Sequence, residues 1–201
     1  MRGCAVDFTE FRAAAELAGM LLTDPRSLIL LLLLLAAAIC DLRSHRIPNL
    51  LTFGGTAVAL LYSLAVPQHH GGGLLWALGG LGLGLALMLP LYLLRAMGAG
   101  DVKLMAMAGA FLGPDGTWQA VIFVFIAGGI TAMAYALWHR VTAKLLRNTL
   151  QATELLFVTI AAGIRPDARA STAQSVGKLP YGVSIALGTA AFLVARQFTW
   201  V

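Results

Sequence analysis

Long apolar runs separated by short polar turns dominate the chain. The first run extends from Ser27 to Cys40, and others follow at Leu50 to Val66, Leu74 to Leu94, Val102 to Leu112, Thr117 to Trp138 and Leu179 to Val194. A bilayer-crossing helix needs about 20 apolar residues. The first run falls short, so it must borrow Leu21 and Leu22 or continue past Asp41, and Asp41 lies near its end in either case. Asp41 to Asn49 reads as a polar turn: Pro48 disfavours helix at Ile47, and Asn49 is placed to cap the next helix. Gly113-Pro114-Asp115-Gly116 reads as a second turn. Val102 to Leu112 is too short to cross alone and has the length of a half helix that begins at Asp101 within the membrane. The pattern predicts an all-α, polytopic membrane bundle of about six transmembrane helices.

Two regions do not fit as spans. Residues 1–26 mix Arg2, Arg12 and Arg26 with Asp7, Glu10, Glu16 and Asp24 on an apolar spacing that suits an amphipathic interfacial helix. Residues 139–178 are hydrophilic and open with Arg140, Lys144 and Arg147, a basic amphipathic pattern, and they read as a cytoplasmic segment. The remainder, 27–201, is expected to form one membrane domain. Gly79, Gly80, Gly82 and Gly84 lie in an apolar run, where small residues serve close helix packing better than phosphate binding.

Composition agrees with the pattern. The 201 residues are 59% hydrophobic and 11% charged, against about 25% charged in ordinary soluble domains, and the mean hydropathy is +0.83. A net charge of +5 raises the question of nucleic acid, but the basic residues are scattered over connecting segments, so no nucleic-acid partner is expected. They follow the positive-inside rule instead. Arg43 and Arg46, Arg95 and Lys103, and the long segment from Arg140 to Lys178 fall on one side if about six spans alternate; Pro67 to Gly73 and Gly113 to Gly116 hold no Lys or Arg. That side is then cytoplasmic and both termini lie outside. Cys4 and Cys40 make no C-x-x-C pair, and His45, His69, His70 and His139 show no metal-ligand spacing, so neither metal nor cofactor is expected.

Candidate chemistry rests on two acids. Asp101 stands in Met97-Gly98-Ala99-Gly100-Asp101-Val102-Lys103, between two apolar runs, and a charge at such a seam is costly without a task or a partner. Asp41 is the comparable acid, and the alternation that places the basic residues on one side places both aspartates there. Two converging carboxylates cannot both ionise cheaply and come to share a proton. One can then take a proton from water while the other polarises a peptide carbonyl. Gly98 and Gly100 would let backbone approach an extended substrate, and Arg43, Arg46 and Lys103 are the nearest cations. Each feature also has a plain structural reading: Asp101 as a helix cap, Asp41 as the end of a span, Lys103 as a snorkelling side chain.

Gly98-Ala99-Gly100-Asp101-Val102-Lys103 resembles the G-x-G-D-x-K signature of the type IV prepilin peptidases. Asp41-Leu42-Arg43 through Ile47-Pro48-Asn49 resembles their first-aspartate segment, and Leu179-Pro180-Tyr181-Gly182-Val183 looks like the start of their last helix. The resemblance implies an aspartic endopeptidase of the bacterial inner membrane that cuts the leader of prepilin or pseudopilin precursors at the cytoplasmic face. Asp41 and Asp101 would be the catalytic pair, with Gly98 and Gly100 shaping the second aspartate's loop. Membrane lipid is a further expected partner. The two C-x-x-C pairs of longer members are missing, so the chain looks like the short tight-adherence form that serves Flp-like pilins and cleaves without methylating. A presenilin-like protease also uses G-x-G-D but carries Tyr before its first Asp and a later P-A-L, where this chain has Cys40 and Leu-Pro-Tyr-Gly. A non-enzymatic ion or proton carrier would place its acids at mid-span, whereas these sit at span ends.

Overall fold

The computed structural model describes residues 24–66, 73–94, 97–138 and 181–198. Most of the interfacial segment expected over 1–26 and all of the cytoplasmic segment expected over 139–178 lie outside the described residues, as does Arg95. Among the described residues all regular structure is helical: α1 (Pro25–Ser44), α2 (Asn49–Ala65), α3 (Leu74–Leu93), α4 (Ala99–Trp138) and α5 (Tyr181–Phe198). Pro25–Ser44, Leu74–Leu93 and Ala99–Ala134 are long and apolar enough to cross a membrane.

Helix α1 begins with Pro25 at its first position, after Asp24, whose carboxylate accepts the backbone N–H groups of Arg26 (3.2 Å) and Ser27 (3.3 Å). This satisfies donors that a helix start leaves orphaned. The helix runs past Asp41 to Ser44, and left-handed His45 (φ 48°) ends it by donating its N–H to Asp41 O at 2.8 Å. Of the two routes to a sufficient length, the chain therefore takes the one beyond Asp41. Asn49 does not cap α2, since Pro48 occupies the cap position with no side-chain bond.

Helix α4 is folded in two. Gly113 has φ 71° and ψ 179°, a left-handed extended conformation closed to side chains, and the Trp76 indole packs where its Cβ would be. A straight helix of this length would measure about 60 Å. Instead Met97, just before α4, and Gly128, in its second half, line one cavity, and the Thr117 hydroxyl reaches Gly109 O (3.4 Å) and Gly113 O (2.5 Å). The limbs, 99–112 and 114–138, correspond to the short fourth and the fifth segments read from the sequence, with the break inside the expected Gly-Pro-Asp-Gly turn.

The centre of the bundle is the first limb of α4. Leu104, Met105, Met107 and Phe111 are buried there with Leu30 and Leu34 of α1, Met88 of α3 and Ile185 of α5. Large apolar residues such as Leu35, Leu61, Leu75 and Ile126 face outward, the arrangement suited to lipid, where close backbone packing rather than apolarity holds helices together. Gly80 lies against Gly109 O, and a Cβ on Gly84 would stand 2.7 Å from Met105 O. Gly82 has open space on its Cβ side. Gly80→Val is therefore expected to cost about 1–3 kcal/mol through overpacking, read as a lowered melting temperature in detergent, with Gly82→Val near wild type. Equal effects at the two positions would refute the close crossing.

Arg26 corrects the expectation that it belongs to the amphipathic surface segment. It is 6% exposed, donates from Nη2 to Ser63 Oγ, and sets its guanidinium 4.5 Å from the Trp76 ring centroid and 5.7 Å from that of Tyr62. Among the described residues Nε and Nη1 have no hydrogen-bond partner, and the two ring faces carry part of that charge. Arg26 thus ties α1 to α2 and α3 at the end of the bundle where α4 turns.

Candidate active site

The opposite end of the bundle gathers the chemistry. Asp41, in the last turn of α1, is 6% exposed, and its Oδ2 accepts the N–H of Gly182 at 2.8 Å. That bond fixes the carboxylate against the first turn of α5, where N–H groups have no partner within the helix. The fit leaves room for hydrogen alone on Gly182, since a Cβ there would meet Asp41 Oδ2 at 2.8 Å and both Cβ and Cγ at 3.1 Å.

Asp101, in the first turn of α4, is 8% exposed, and its Oδ2 accepts the N–H of Gly98 at 3.1 Å. This is the reach-back half of a capping box. The plain reading of Asp101 as a helix-start residue therefore describes its hydrogen bond, though as a residue three positions inside the cap. Gly98 supplies that N–H, and Gly100 places its Cα hydrogens against Ile47, whose Cβ would be 3.4 Å from a Cβ there. Gly100 thus seats α4 on the turn after α1.

Gly182, which holds Asp41, follows Tyr181, and Gly98, which holds Asp101, follows Met97; Tyr181 and Met97 line one cavity, which puts both carboxylates at the same end of the bundle. Each carboxylate has Oδ2 occupied by a backbone N–H, which leaves Oδ1 for other work. Two acids from separate helices, both sheltered and both oriented by backbone, thus stand at this end of the bundle.

The cations are arranged differently from one another. Arg43 and Arg46 are exposed at the end of α1. Lys103 is half-buried and committed elsewhere: Nζ donates to Asn49 Oδ1 at 3.0 Å and lies 5.0 Å from the Phe53 ring centroid. It ties α4 to α2. Among the described residues no cluster of His, Cys, Asp and Glu could hold a metal ion.

Gly182 and Tyr181 are site residues that the sequence did not single out. Their segment carried a signal, Leu-Pro-Tyr-Gly, read only as the start of a helix. What the glycine serves is a carboxylate 141 positions away, a partner that no local pattern specifies.

No curated protein and no solved structure matches the chain. A family model described as the type IV leader peptidase family matches residues 28–137, a segment that holds Asp41 and Asp101 and more than half of the sequence, and the chain belongs to that family.

Proposed function

We propose that the chain is an aspartic endopeptidase that removes the leader from prepilin-type precursors by water attack between Asp41 and Asp101. The family makes it a leader-peptidase-type protease, and three membrane-length apolar helices make it a membrane protein. The observation that supports the aspartic reading is the position of two sheltered carboxylates, from α1 and α4, at one end of the bundle, each held by a backbone N–H. One carboxylate, ionised, accepts a proton from water as the oxygen attacks the scissile carbonyl. The other, neutral, donates a hydrogen bond to that carbonyl and then passes its proton to the departing amine.

The exposed Arg43 and Arg46 suit a substrate carboxylate near the cut better than Lys103, whose ammonium is taken by Asn49. The basic turns favour a site at the cytoplasmic face of a bacterial inner membrane, with about six spans and both termini outside. Without C-x-x-C pairs, the reaction is cleavage of small Flp-like precursors with no methylation. The placement of both acids at one end of the bundle, rather than along a path through its middle, favours this reading over an ion carrier.

The test is direct. Full-length protein in detergent, incubated with a pilin precursor carrying a basic leader, is expected to release the leader by a single cut, identified by intact mass. A precursor left whole by the folded wild-type protein overturns the assignment.

A further inference from the structure

The start of α4 is gripped on both sides of Asp101 by the stretch of chain that follows Asp41. On one side, Gly100 packs against Ile47, whose Cβ would stand 3.4 Å from a Cβ on the glycine. On the other, the Lys103 ammonium donates to Asn49 Oδ1 at 3.0 Å and lies 5.0 Å from the Phe53 ring centroid. Asn49 and Phe53 are one turn apart on α2 and share a face. The ammonium therefore meets an acceptor and an aromatic ring from the same side. Helix α1 runs through Asp41 to Ser44, and α2 opens at Asn49, so a short turn joins the first carboxylate to the residues that hold the second.

Lys103 follows Asp101 by two positions, and residues so spaced point to different sides of a helix. Asp101 is buried and takes the Gly98 N–H, whereas Lys103 is half-buried and reaches across to α2. The cation thus serves an amide on another helix rather than the carboxylate beside it in sequence. Arg43 and Arg46, by contrast, are exposed. Fixing a long, flexible side chain costs conformational entropy, and two partners on one face of α2 mark Lys103 as a strut rather than a solvated charge. Resting on the proposed peptidase reading, we propose that Lys103 is a positioning residue: clasped by Asn49 and Phe53, it holds the first turn of α4 so that Asp101 keeps its place relative to Asp41. It binds no part of the substrate and takes no proton.

The experiment measures kcat and KM on one pilin precursor for full-length wild type, Lys103→Met, Asn49→Leu, the double variant and Asn49→Asp. Lys103→Met removes both donor and charge, while Asn49→Leu removes the acceptor and leaves the charge in place. Each is expected to lower kcat about tenfold, less than the about 10²-fold that a full 1 Å displacement costs. KM is expected to stay at the wild-type value, because the tie orients a reacting group without touching substrate. The double variant is expected to match either single one, since both changes break the same tie. Asn49→Asp keeps an acceptor for the ammonium and is expected to cleave near the wild-type rate, which separates loss of the tie from any change at position 49. A lysine that acts by its charge, on substrate or on Asp101, gives a different result: Lys103→Met loses activity and Asn49→Leu does not. That result, losses confined to KM, losses that multiply in the double variant, or wild-type kcat in both single variants each overturn the proposal. If wild type leaves the precursor whole, the peptidase reading itself fails, a result distinct from any ranking of the variants.

Discussion

Asp41→Asn and Asp101→Asn are each expected to lower leader cleavage by about 10²–10⁴-fold, the usual range for losing a general acid or base. Asn keeps the shape of Asp, and its Oδ1 can still accept the N–H that the carboxylate accepts, from Gly182 at position 41 or from Gly98 at position 101. The melting temperature should therefore move little, which separates lost chemistry from lost structure. The sharper expectation concerns the double variant. In the proposed mechanism each carboxylate works only with its partner, one as the base for water and the other as the acid for the carbonyl and the amine. Once either is gone, removing the second should cost almost nothing more. Independent roles, such as one catalytic acid and one purely structural cap, predict multiplied losses instead. Rates in the two single variants and the double, measured on one precursor, decide between these. A single variant that still cuts at the wild-type rate removes that aspartate from the mechanism.

How much of this was legible in the sequence depends on the range of the interaction concerned. Apolar runs and turn residues act locally, so α2, α3 and both limbs of α4 could be placed from the pattern, including the reversal at Gly113. The packing role of Gly80 and Gly84 was legible too, because glycines along an apolar helix have few other uses. The end of α1 was not. Apolarity stops at Cys40, but helical hydrogen bonding needs no apolar side chains, and it continues to the left-handed stop at His45. Arg26 was misplaced for a related reason. It follows a polar segment in sequence, and only the fold brings Ser63, Tyr62 and Trp76 around it. Asn49 looked like a cap because of its position, but the ammonium of Lys103, on another helix, takes its side chain. Asp41 and Asp101 were expected on one side from the alternation of about six spans, and in the structure the end of α1 that bears Asp41 and the start of α4 that bears Asp101 lie at one end of the bundle.

Gly182 provides the strongest test of how the first carboxylate is held. Gly182→Ala places a methyl group 2.8 Å from Asp41 Oδ2 and 3.1 Å from its Cγ, closer than carbon and oxygen pack without strain. Asp41 is anchored in a helical turn and buried, so it cannot retreat freely. Either its carboxylate rotates off the Gly182 N–H or α5 shifts away from α1, and both routes move the reacting oxygen on the order of 1 Å. Displacement of that size costs about 10²-fold in rate, and Gly182→Val should cost more than Gly182→Ala. The loss should fall on kcat rather than KM, since the contact orients the proposed catalytic group rather than a substrate-binding one. Coupling supplies the decisive comparison. In an Asp41→Asn background, where the chemistry is already lost, Gly182→Ala should lower the residual rate hardly at all, because both changes disable the same group. If Gly182→Ala keeps wild-type kcat, or if its loss simply multiplies with that of Asp41→Asn, the glycine does not act through Asp41, and the hydrogen bond between them only joins two helix ends.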